Sequence, residues 1–285
     1  MTETATQMTT QKGKADSFKA LHDADGMFLL PNPWDVGSAR ILAGLGYKAL
    51  ATTSAGFAAT LGVSDYQVSR EMKLEHICAL AAATDLPLAA DLENGFGHSP
   101  ETCAETIRLG AEAGLVGGSI EDYSGDKDKG QYDIGLATER VAAAVEAANS
   151  LPFSFMLTAR AENFFTGVPD LGDTISRLQA YQDAGAHVLY APALKTLEDI
   201  STVLGEIDRP LNVLLGPFSG FVPMQELAQL GVKRVSIGSV FANGAYGALV
   251  RAGTEWRDAG TLGFMGEAAS GKTLSKLMEK GTAKN

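Results

Sequence analysis

Ala113-Gly114-Leu115-Val116 ends a helical pattern on a glycine and at once opens an apolar run, Val116 to Glu121. Glycine suits that place because a helix commonly stops on a residue in the left-handed conformation. The same phrase stands at Leu45-Gly46-Tyr47-Lys48, Ala184-Gly185-Ala186-His187 and Leu230-Gly231-Val232-Lys233. Working outward from these points, eight short strand-like runs follow one another: Phe28 to Asn32, Lys48 to Thr53, Pro87 to Asp91, Val116 to Glu121, Phe153 to Arg160, His187 to Ala191, Leu211 to Leu215 and Arg234 to Ile237. Between them lie segments with apolar residues at helical spacing, such as Glu71 to Ala83, Pro100 to Ala113, Leu136 to Ala148 and Thr174 to Ala184. Such alternation means a parallel sheet covered by helices. The glycine phrase precedes every even run, and the length is near the roughly 250 residues typical of a (β/α)₈ barrel, the expected fold. A doubly wound sheet is the alternative, but the first run leads into Pro31-Asn32-Pro33-Trp34-Asp35 rather than a glycine-rich nucleotide fingerprint.

Composition narrows the function classes. A formal charge of −11 offers no basic face for nucleic acid or an anionic membrane, so neither is expected as a partner. No apolar run reaches the roughly 18 residues of a membrane span. Two cysteines, Cys78 and Cys103, both in helical patterns, give no disulfide framework and suit a reduced cytoplasm. Residues 1–15 lack apolar period and read as a mobile tail, 16–258 as the barrel, and 259–285 as a helical extension beyond what eight units need. A surplus helix suggests packing on a neighbouring subunit, hence a homodimer or homotetramer.

In such barrels chemistry sits at the C-terminal strand ends. Those ends carry Thr53-Ser54-Ala55-Gly56, Asp91 and Glu93, Glu121-Asp122, Arg160 and Glu162, and Asn212. Asp91 and Glu93, two apart at a strand end, are expected to point into one volume. Carboxylates held that close need a cation, and Mg²⁺, with Mn²⁺ as the alternative, is the oxygen-seeking candidate. A lone arginine beside them reads as an anion clamp or as the centre of an ion-pair network. Asp65, on the loop after the second strand, could reach the same ion through water, or serve as a solvated residue or helix cap.

The ordered set Thr53-Ser54-Ala55-Gly56, Leu61-Gly62-x-x-Asp65, Asp91-x-Glu93-x-Gly95-Phe96-Gly97, Ile120-Glu121-Asp122 and Ala159-Arg160-x-Glu162 resembles the isocitrate lyase/phosphoenolpyruvate mutase superfamily. Leu30-Pro31-Asn32-Pro33-Trp34-Asp35 and Asn212-Val213-Leu214-Leu215-Gly216-Pro217 are more similar to its small mutase-like branch. The resemblance implies a barrel whose last helix is exchanged between subunits. It implies Mg²⁺ bound directly by Asp91, with Asp65, Glu93 and Glu121 holding its waters. Thr53, Ser54, Ala55 and Asn212 would bind a small carboxylate substrate, and Arg160 and Glu121 would act in catalysis. The implied reaction is cleavage of a carbon–carbon bond in a 2-oxo or 2-hydroxy (di)carboxylate through an enolate-like intermediate. Alternatives are carbon–phosphorus chemistry on a phosphonate, or binding of an oxo acid without turnover.

Departures from the family pattern bear on the proton donor. After Glu121-Asp122 the lyases carry a Cys and a His, whereas Tyr123 to Tyr132 here contains neither. The remaining candidates are Lys127, Lys129, Tyr123, Tyr132 and His98. Gly266 to Thr273 matches a P-loop pattern, but no convincing core strand precedes it, so it reads as a loop and helix start.

Overall fold

The computed structural model describes residues 10–284 apart from Phe218 and Phe221. All eight expected strands form: β1 (Phe28–Leu30), β2 (Leu50–Ala51), β3 (Leu88–Asp91), β4 (Gly117–Glu121), β5 (Met156–Arg160), β6 (Val188–Tyr190), β7 (Leu211–Leu214) and β8 (Arg234–Ser236). They make one parallel sheet in the order β1-β8-β7-β6-β5-β4-β3-β2. The seam between β1 and β2 is spanned by the Ala51 N–H, which donates to the Pro31 carbonyl at 3.1 Å. Asn32 stitches the same corner, donating to the Ala51 carbonyl and accepting from the Ile237 and Gly238 N–H groups. The fold is therefore a nearly closed (β/α)₈ barrel.

The helices are α1 (Gln11–Asp23), α2 (Val36–Leu45), α3 (Ser54–Thr60), α4 (Arg70–Ala83), α5 (Pro100–Glu112), α6 (Ile134–Asn149), α7 (Leu171–Asp183), α8 (Leu197–Gly205), α9 (Met224–Leu230), α10 (Val240–Ala259) and α11 (Gly271–Gly281). Gly46, Gly114, Gly185 and Gly231 all have φ between 92° and 108°, the left-handed turn that the recurring phrase requires. Each lets the chain leave a helix and enter an even-numbered strand.

The expected tail is shorter than the sequence suggested. Residues 1–9 lie outside the described residues, but α1 already starts at Gln11, with the Thr10 hydroxyl accepting from the Gly13 N–H. Ala15, Phe18 and His22 are buried on its inner face, so α1 closes the bottom of the barrel. Phe18 fits there because Gly117 has no side chain; a Cβ on Gly117 would stand 2.8 Å from its ring. No polar-tail signal reveals this, because the partners of Phe18 come from distant strands.

Helix α11 lies against α2 of its own chain, where a side chain on Gly44 or Gly281 would run into the backbone of Leu277 or Arg40. In contrast α10 buries only Ala242, leaving Leu249, Val250 and Trp256 exposed, with Leu262 and Met265 just beyond. Among the described residues no helix is long and apolar enough to cross a membrane. Of the two helical cysteines, Cys78 is exposed and Cys103 is buried.

Candidate active site

The strand ends build one cavity of about 1040 Å³ counted to its open mouth, with Ser54, Asp65, Tyr66, Asp91, Glu121 and Arg160 on its wall. Arg160 ends β5 and is buried at the centre of the acids. Its Nη1 donates to Asp91 at 3.0 Å, its Nη2 faces Glu121 at 3.2 Å and its Nε donates to Glu162 at 2.7 Å. The Tyr190 ring packs 5.0 Å below the guanidinium. All of these carboxylates come from the ends of β3, β4 and β5. One cation thus joins three neighbouring strands.

Electrostatics separates the acids. Burial opposes ionisation of Asp91, but Arg160, Lys73 and the hydrogen bonds from the Glu93 N–H and Ser54 outweigh it, holding the carboxyl below its ordinary range. Glu121 goes the other way: burial, with Glu162 and Asp91 nearby, pushes it well up against the pull of Arg160. Tyr66 donates its O–H to Glu121. Glu162 rises to about 7, chiefly through burial.

Glu93 departs from the expectation drawn from strand alternation. Strand β3 ends at Asp91, and Glu93 stands in the following turn with φ 50°. Glu93 lines the neighbouring groove with Asn94, His98 and Ser124, while its carboxyl still feels the charges of Asp91, Asp65 and Lys73. Period-two geometry fails as soon as the backbone leaves the strand. Burial, then the charge of Asp91, raises Glu93 to about 8. Tyr66, Phe96 and Ala193 also have positive φ, so the bent non-glycine backbone is concentrated in loops at this rim.

Other expected residues are placed as follows. Thr53 caps α3, its hydroxyl accepting from the Gly56 N–H, while Ser54 donates to Asp91 at 3.0 Å. Their hydroxyls are thereby used, leaving the N–H groups of the first turn, at Ser54 and Ala55, without intrahelical acceptors. Asn212 is buried, donating to Ser236 at 2.9 Å and accepting from Arg234 at 2.8 Å. Asp122 points to the opposite side of β4, bonded to Arg177 and Tyr181 in a structural cluster.

The proton-donor candidates do not gather at the cavity. Tyr132 is buried against Arg140, and its hydroxyl is 2.6 Å from His98 Nδ1. Lys129 is exposed beside Asp126. A tyrosine hydroxyl that does stand at the cavity wall beside Glu121 is that of Tyr66, which the sequence reading passed over although it follows Asp65 directly. Arg234 was missed as well. It lines the cavity from β8, and donates to Asn212 and to Thr158 at 2.9 Å, with His22 Nε2 3.3 Å away. No carboxylate among the described residues pairs with it.

The donor chemistry at the cavity wall suits a hydrated divalent cation. Among the described residues no three Asp, Glu, His or Cys side chains stand close enough to ligate one ion together. Mg²⁺ does not need such a cage, because it usually keeps several waters and takes one or two carboxylates. Asp91 is ionised at the cavity wall, and Asp65 Oδ1 is buried with no hydrogen-bond partner. An orphaned carboxylate oxygen beside an ionised one is the donor set of a hydrated hard cation.

Comparison with known proteins agrees with this geometry. The model of the phosphoenolpyruvate phosphomutase family matches residues 18–256. The chain belongs to that family. A solved Burkholderia cenocepacia structure, provisionally described as a lyase/mutase, is 52% identical to this family member with a TM-score of 0.91, covering 93% of this chain and 95% of that one. An uncharacterised Mycobacterium tuberculosis protein is 32% identical over 235 residues, 81% of this chain and 86% of its own. The 2-methylisocitrate lyase of Escherichia coli is 29% identical over 215 residues, 73% of this chain and 71% of its own. The residues matched by the phosphoenolpyruvate phosphomutase family model include all eight strands of the barrel.

Proposed function

We propose that this protein is a Mg²⁺-dependent lyase that cleaves a carbon–carbon bond of a 2-oxo or 2-hydroxy (di)carboxylate through an enolate-like intermediate. The observation that carries the reading is the convergence of Asp91, Glu121 and Glu162 on Arg160 at one cavity wall. The likeness to a 2-methylisocitrate lyase supports it. Mn²⁺ is the natural substitute ion, with the same taste for carboxylate oxygen.

Asp91 would hold the ion directly, with Asp65, Glu93 and Glu121 acting through its waters. When bound, the metal would supply Lewis-acid stabilisation of negative charge developing on the 2-oxo oxygen. The protein's part is to fix the pieces in advance. The Ser54 and Ala55 N–H groups, opening α3 behind the Thr53 cap, are suited to receive the substrate carboxylate. Arg160 keeps Asp91 ionised and Glu121 turned toward the cavity, and Tyr66 fixes the second oxygen of Glu121. Asn212 acts one layer deeper, ordering Arg234 and Ser236 rather than reaching for substrate.

The exposed apolar face of α10 and the turn after it is the surface we assign to assembly as a homodimer or homotetramer. The free cysteines suit a cytoplasmic setting.

Turnover of a panel of 2-oxo and 2-hydroxy diacids, with Mg²⁺ and then with chelator, tests the reaction. Product formation lost with chelator and restored by Mg²⁺ is expected. Phosphorus NMR with phosphonopyruvate isolates the carbon–phosphorus alternative, which the family's name favours. Tight binding without turnover on any of these substrates would mark a binding protein instead.

A further inference from the structure

Every buried residue of α6 is alanine or valine except Arg140, which is 1% exposed. A guanidinium so placed is costly unless its N–H groups find acceptors. Nη1 donates to the Gly97 carbonyl at 2.8 Å, Nη2 donates to the Asn94 carbonyl, and the group lies 4.2 Å from the centre of the Tyr132 ring. Nε has no partner. All three partners are neutral, so the charge is held by two carbonyl dipoles and a ring rather than by an acid.

Both carbonyls belong to the turn that follows Asp91. Glu93, Gly95 and Phe96 have positive φ there, at 50°, 77° and 59°. In non-glycine residues such backbone persists only where the surroundings fix it. The Glu93 carbonyl accepts from the Glu121 N–H at 3.0 Å and the Gly95 carbonyl from the Thr106 hydroxyl at 2.8 Å, so β4, α5 and α6 share the carbonyls of the turn. What the turn delivers is the Glu93 N–H, which donates to Asp91 Oδ1 at 3.2 Å. On its other side Asn94 donates to the Ser124 carbonyl at 2.8 Å, and the Tyr132 N–H donates to the Asp122 carbonyl at 2.8 Å, closing a hairpin. Arg140 therefore stands where the turn after β3 meets the hairpin after β4.

We propose that Arg140 is a positioning residue: by holding the Asn94 and Gly97 carbonyls it fixes the turn in the conformation that aims the Glu93 N–H at Asp91, so that the metal-free site is already shaped for its ion. The inference adds to the Mg²⁺ reading of the site how its geometry is set, and rests on that reading for the effect on metal binding. Once released, the turn samples other conformations, and apparent affinity for the ion falls with the fraction that stays competent. Arg140 touches neither substrate nor the reacting atoms.

Wild type, Arg140→Met, Arg140→Lys and Ile200→Ala are compared by hydrogen exchange of the metal-free protein and by Mg²⁺ titration calorimetry. Ile200 is buried under α8, and its truncation controls for general destabilisation. In Arg140→Met, peptides covering 92–98 are expected to exchange about 10-fold faster while those covering β7 keep wild-type rates, and Mg²⁺ binding to weaken about 10-fold. Added Mg²⁺ should slow exchange at 92–98 again. Lysine keeps the charge but reaches one carbonyl, so Arg140→Lys should fall between. In Ile200→Ala both exchange at 92–98 and Mg²⁺ affinity should stay within about twofold of wild type. Wild-type exchange at 92–98 in Arg140→Met, an equal rise at 92–98 and β7, or an unchanged Mg²⁺ Kd would overturn the proposal. If Arg140→Met does not fold, Arg140→Lys decides by the same comparison; failure of both to fold overturns it, because Arg140 would then hold the whole barrel rather than one turn. Should the wild type bind no Mg²⁺, the metal reading of the site fails, while the exchange contrast between 92–98 and β7 still judges Arg140 separately.

Discussion

Two arginines are buried in the same barrel and live in opposite surroundings. Arg160, at the mouth, is ringed by Asp91, Glu121 and Glu162, and burial is overcome by those three charges so that its proton is held more firmly than usual. Arg234, deeper on β8, meets only neutral partners, Asn212, Thr158 and His22, and burial lowers it to about 10. His22 beside it is driven down to about 3 by burial and by the arginine's charge, so the contact joins a cation to a neutral ring. The mouth thus gathers three carboxylates around one cation. The floor is a hydrogen-bonded staple between β5, β7, β8 and α1.

The largest effect should come from breaking the mouth. Arg160→Met strands the buried Glu121 and Glu162 together with the part-buried Asp91, and loss of one partner of a buried pair costs about 3–5 kcal/mol. Urea melts are expected to show that loss, with turnover reduced by about 10³-fold. Preserved stability would mean that the acids are compensated elsewhere.

The second effect is the pH dependence that Glu93 and Glu162 give the mouth. Glu93 and Glu162 have folded-state values of about 8 and about 7, above their ordinary 4.5, so the fold binds more protons than the unfolded chain across that window. Their contribution to stability is full below about pH 4.5 and is lost as pH rises toward 8. Metal-free melting temperatures should therefore fall over this range on their account. The gain from added Mg²⁺ should grow as Glu93 ionises, and a pH-independent gain would contradict the placing of Glu93 near the ion.

Tyr66→Phe removes the hydrogen bond that orients Glu121. Turnover should fall about 10-fold while Mg²⁺ affinity stays within twofold, since only orientation changes. An unchanged rate would show that Arg160 alone suffices. The smallest effect belongs to the floor. Arg234→Met gives up three hydrogen bonds but also an unbalanced buried charge, and apolar replacements of buried ions are often close to neutral. A loss of about 1–2 kcal/mol in melts is expected; a loss as large as that of Arg160→Met would erase the contrast between the two arginines.

The same contrast explains what could be read from the chain beforehand. Strands and the glycine stops are local, and each of the eight runs contains a strand, although β2 keeps only Leu50–Ala51 of Lys48 to Thr53 and β5 starts at Met156 rather than Phe153. Asp91, Glu121 and Arg160 were legible because they close strands, and the strand ends share a rim. Glu93 stands in a turn rather than on the strand, because its backbone goes to φ 50° just after Asp91, which no spacing rule shows. Lys73 and Arg234 were overlooked since a lysine in a helix and an arginine after Lys233 look like surface residues. Each did leave a trace: Lys73 occupies a core position of its helical stripe, and Arg234 alternates with Ser236 on one face of β8. Residue Phe18 gave no such trace, because the gap it fills is made by Gly117, far away in sequence.

Oxalate, a planar mimic of the pyruvate enolate, offers the most direct measurement: calorimetric titration into the wild type and Asp91→Asn, each with Mg²⁺ and with chelator. Tight binding by the wild type only when Mg²⁺ is present, lost in Asp91→Asn, is the expected result. Oxalate binding that is equal with chelator, or unchanged in Asp91→Asn, would contradict a metal-centred site at the barrel mouth.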